Sequence, residues 1–99
     1  MNNVDTLFAV LFAITFTPVL LMYVVGIVSE MMDNPTQYND DMIMPPKVLM
    51  VGAITAVACA VFFNSAGLEN AATVVFAGTV MWVVANVVLV AVSTHSYAR

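Results

Sequence analysis

The chain has 99 residues, 63% of them apolar and only 8% charged, where soluble domains average roughly 45–50% and 25%. So few charges cannot coat a water-facing surface, which excludes an ordinary soluble domain. Net charge −4 with Lys47 and Arg99 as the only cations excludes a nucleic-acid binder, and the lone Cys59 excludes an intrachain disulfide or a cysteine-based zinc site.

Leu7 to Val28 is an uncharged stretch of 22 residues, about 33 Å long as a helix and enough to cross a hydrocarbon core. Asn3 is the expected N-cap, and Asp5 suits the positive end of the helix dipole. The helix is expected over about 4–33, stopping before Pro35 because Asn34 is pushed out of the α region. Pro18 removes the hydrogen bond to the Ile14 carbonyl and predicts a kink, with Thr15 or Thr17 re-satisfying the freed backbone. The stretch has no basic n-region and is too long for a signal peptide, so it reads as a retained anchor.

Residues 34–45 form a polar, acidic connector. Its Met42-x-Met44 pair is suited to Cu(I), yet such methionines more often anchor a loop at the membrane surface. Its acids do not follow EF-hand spacing. Asn34-Pro35-Thr36 fails as a glycosylation acceptor because proline holds the middle position.

Val48 to Phe63 is only 16 residues, and becomes a short span over 46–64 if the helix starts at Pro45-Pro46, where proline is tolerated. Gly67 should end that helix. A third span over 70–93 follows, containing the uncharged stretch Ala71 to Val92. Its nine valines would favour a strand in water, but an isolated strand leaves backbone groups unpaired in lipid. The fold class is therefore all-α, an integral membrane protein whose residues 1–99 form a single domain of three transmembrane helices, the second short. His95, in the tail, has no Cys or acid beside it in sequence and makes no metal or catalytic constellation.

Within lipid, helices associate through small residues and a few hydrogen bonds. Gly52, Ala56 and Ala60 offer one such packing face, Ala9, Ala13 and Thr17 a second, and Ala71, Gly78 and Ala85 a third. Cys59 reads as a small buried thiol. Trp82 sits mid-span, with Gly78 one turn before it and Asn86 one turn after. A buried Asn needs a partner, so this face is expected to meet protein or a polar lipid group. Helix pairing is its commoner use, a ligand or pigment site the sharper one.

None of the uncharged stretches contains Asp, Glu, Lys, Arg or His, whereas proton relays need an ionisable group at membrane depth. No cofactor, metal or catalytic residue is expected. With three spans, Lys47 and Arg99 fall on one side and favour an N-out, C-in orientation. The expected role is a non-enzymatic structural or accessory subunit of a larger assembly, a multisubunit complex or a virion membrane. Its partners would be the lipid bilayer and other membrane subunits, in a homo- or hetero-oligomer, with no nucleic acid. Three short spans in a chain of this length, oriented N-out and C-in, also resemble one class of phage holins. Holins of that class end in a basic cluster, whereas this chain ends in Arg99 alone. A filament subunit of the pilin type is a third reading, and would require cleavage after the first span.

Overall fold

The computed structural model describes residues 3–32 and 42–97, the side chains of 94–97 excepted. Met42 and Met44, the pair of the copper reading, are described and half-buried, but the calcium reading of the connector rests largely on residues 33–41, and the His95 and Arg99 readings on side chains of the tail. These lie outside the described residues. What is described is helical without a strand: α1 (Asn3–Met31), α2 (Pro46–Ser65) and α3 (Glu69–Tyr97). All three are long and apolar enough to cross a membrane.

Local sequence explains the ends. Pro45 takes φ −58° and ψ 150° just before α2, and Pro46 opens the helix; its missing N–H is one that no helix-internal acceptor would have served. At the other end Leu68 N donates to the Phe63 carbonyl (2.8 Å) and Gly67 N to that of Asn64 (3.2 Å). This is the Schellman pattern, and it needs a left-handed residue where Gly67 sits at φ +85°. α1 is a single helix through Pro18, which faces outward. The Thr15 and Thr17 hydroxyls donate to the Leu11 (2.9 Å) and Ala13 (2.7 Å) carbonyls. Neither serves Ile14, since each hydroxyl reaches back to the residue four before its own.

α3 is the hub. In its most apolar stretch 28% is buried, against 6% in each of the other helices. It runs parallel to α1, because Asp5 meets Asn70 and Ala71 while Tyr23 meets Asn86. It runs antiparallel to α2, with Gly52 near Trp82 and Ala60 near Ala72 and Val75. Contact between α1 and α2 centres on a phenylalanine group at the turn end, with Phe8 and Phe12 at ring-centroid distances of 6.2 and 5.6 Å from Phe63. These separations suit offset or edge-on aromatic packing. The result is a flattened body of 52 × 23 × 15 Å.

Inward residues of α3 include Ala72, Val75, Thr79, Trp82, Asn86, Leu89 and Ser93, alternating by three and four positions, with Trp82 half-buried and the rest buried, and Ala71 and Gly78 are buried beside them. That is heptad spacing, which holds a seam against a neighbouring helix. α1 answers with Phe16, Tyr23 and Glu30 at seven-residue intervals and with buried Gly26 between the last two. Ala13 and Thr17 are exposed, so the small-residue stripe expected on α1 is not its inner face. Cys59 likewise faces out of the bundle rather than into it. Outside, Val10, Ile14, Leu21, Val25, Met50 and Ile54 are all exposed, as befits side chains solvated by lipid tails.

Candidate functional site

The residues singled out by sequence fall along the two seams of α3. Gly52 lies under the Trp82 ring, and a Cβ added there would stand 3.0 Å from Cη2. Ala60 joins Ala72 and Val75 in a buried cluster, with Ala56 packed against it. Gly78 faces α1, so close to Phe16 that an added Cβ would meet its ring at 2.6–2.8 Å. The Gly78–Trp82–Asn86 face thus divides, with Trp82 turned to α2, and Gly78 and Asn86 to α1.

Asn86 is 1% exposed and anchors the most developed polar site among the described residues. Its Oδ1 accepts the Met44 backbone N–H at 2.9 Å. Tyr23, 3% exposed, donates its hydroxyl to the Met42 carbonyl at 2.6 Å and approaches Asn86 Oδ1 at 3.3 Å. A phenol has one hydrogen, so the short contact holds it and the longer one is secondary. Tyr23 precedes the end of α1 by eight residues, about 12 Å along the axis. The segment entering α2 therefore dips between the longer helices, well below their ends.

Backbone that leaves the helix within lipid must find its hydrogen bonds in protein. Residues 43–45 are not helical. On either side of Ile43, the Met42 C=O is met by α1 and the Met44 N–H by α3. Tyr23 and Asn86 thus clamp this segment from two helices at once, and they account for the shortness of α2, which is 20 residues against 29 in each neighbour.

At the opposite end, Asp5 is 5% exposed and accepts the backbone N–H groups of Asn70 (3.1 Å) and Ala71 (2.8 Å). It therefore caps the first turn of α3 across the helix interface, rather than serving only the dipole of its own helix. Sequence placed both Asp5 and Glu30 outside the uncharged stretches, yet the fold buries both. Nothing in the local sequence announces this; it follows from α1 and α3 running parallel in register. Tyr23 was likewise not singled out, although seven-residue spacing links it to Glu30 as it links Asn86 to Ser93.

The fold and its buried polar ladder define a class, an all-helical integral membrane protein with three spanning helices. Compared with protein-family models, curated proteins and solved structures, the chain gives no match.

Proposed function

We propose that the chain is a non-enzymatic structural or accessory subunit of a larger membrane assembly, inserted N-out and C-in. The observation carrying this reading is the flattened arrangement around α3. Even this central helix leaves Phe76, Val80, Val84 and Val87 exposed along one side, and the body is only 15 Å across its thinnest dimension. Tyr23, Asn86 and Asp5 meanwhile bond to the chain's own backbone. Such a layer holds its own shape while offering broad apolar faces to neighbours. The orientation rests on Lys47 and Arg99 sharing the side opposite the 64–70 turn.

Co-purification in mild detergent tests the reading. The chain should migrate with other subunits or further copies, and migration as a lone monomer overturns it. Expression in a bacterium separates it from the holin reading, since abrupt lysis would replace steady growth. A fluorescent protein fused after Arg99 should light up in the cytoplasm, and a dark fusion reverses the orientation.

A further inference from the structure

One heptad beyond the clamp, Glu30 and Ser93 repeat the relation of Tyr23 to Asn86. Each lies seven residues past its counterpart, so the pair keeps the separation of 63 residues that joins Tyr23 to Asn86. In a parallel pair of helices, equal offsets place two side chains in the same layer of the seam. Leu89, fully buried, and Gly26, also buried, stand at the same separation between these two layers. Both Glu30 and Ser93 are 3% exposed.

Two features give this layer the chemistry of a cation site. Ser93 Oγ is buried with no hydrogen-bond partner among the described residues, and native interiors rarely leave such a hydroxyl empty-handed. Glu30 has contacts of its own within the chain, but it also brings a carboxylate to the last turn of α1. That turn has no basic residue, and helix C-termini carry the negative end of the dipole. A carboxylate, a hydroxyl and carbonyls at a helix end form an all-oxygen donor set, which hard cations prefer. Helix C-terminal ends serve sodium in this way in membrane transporters. One carboxylate balances one positive charge.

We propose that Glu30 and Ser93 hold a small monovalent cation, with Na⁺ as the probe, which ties the loop-side end of α1 to α3. The site goes beyond the subunit reading and stands or falls independently of any partner. The test is thermal unfolding of the full chain in detergent micelles, titrated with NaCl against choline chloride at constant ionic strength. The midpoint should rise saturably with Na⁺ by several degrees. Glu30→Gln should abolish that rise, and Ser93→Ala should shift it to at least tenfold higher concentration. Glu69→Gln, the same charge change at an exposed position of the opposite end, should retain it. Equal midpoints in the two salts overturn the proposal, as does an undiminished response in Glu30→Gln or a response to Ca²⁺ alone. Should Glu30→Gln fail to fold, ²³Na line broadening by the unmodified chain, and its loss in Ser93→Ala, decides the matter.

Discussion

At the turn end of the bundle, α2 and α3 are joined by a tight turn built around Gly67, and a carboxylate covers the first N–H groups of α3. At the loop end, α2 starts well below the ends of its neighbours, and an uncharged phenol and amide hold the incoming backbone. The contrast follows from depth. α1 and α3, at 29 residues each, reach about 44 Å, more than a hydrocarbon core of about 30 Å, and Asp5 stands two residues from the start of α1, its buried carboxylate met by two backbone N–H donors. Tyr23 and Asn86 lie further in, where an ionised side chain is costly and a neutral hydrogen-bonding pair is not.

On that contrast, the loop end is the more sensitive of the two. Asn86→Leu strips the part-buried Met44 N–H of its acceptor, at a cost of about 2 kcal/mol. Helix-to-helix hydrogen bonds in membranes average only about 0.6 kcal/mol, because the unfolded helices find other partners; the non-helical segment has no such alternative within lipid. Unfolding in increasing denaturing detergent measures the loss, with membrane insertion unchanged. A loss no larger than the membrane average would put the segment in water and remove the argument from depth. Tyr23→Phe should cost less, about 1 kcal/mol. Combined with Asn86→Leu it should be non-additive, since both mutations release the same segment.

Asp5→Ala probes the turn end, and the expected loss is about 1–2 kcal/mol, the upper range for a helix cap. Asp5→Asn should recover part of it, because the amide oxygen still accepts from Asn70 or Ala71. A larger effect than that of Asn86→Leu would invert the comparison.

The stop at the turn end was legible in sequence, and at the loop end only the opening of α2. Gly67 as a stop and Pro46 as an opening residue are local signals, and both act where expected. Three spanning helices follow from length and apolarity alone. Which face of a helix turns inward is harder, because lipid makes the outer face as apolar as the inner one and periodicity loses its contrast. Ala9, Ala13 and Thr17 were a reasonable inner face for α1, yet Phe16, Tyr23 and Glu30 occupy it. The better signal was polar: Thr79, Asn86 and Ser93 recur every seven residues on α3, and all three are buried. Small residues mark close approach only where a partner supplies something to fill the space, as Phe16 does at Gly78 and Trp82 at Gly52.

The smallest expected effect isolates the backbone at the turn end. Gly67 sits at φ +85°, and an added Cβ would meet nothing within 4 Å. Substitution there carries no packing penalty, so Gly67→Ala reports only the preference of an L-residue against the left-handed region, about 1 kcal/mol. Gly67→Asn should recover part of the loss, because asparagine tolerates this conformation better than alanine. The cost should not depend on Asp5, since the Schellman bonds close on α2 whereas the carboxylate acts on α3. Asp5→Ala and Gly67→Ala should therefore add, in contrast to the coupled pair at the loop end. Coupling between them would mean that turn and cap form one unit, as the two clamp residues do at the loop end.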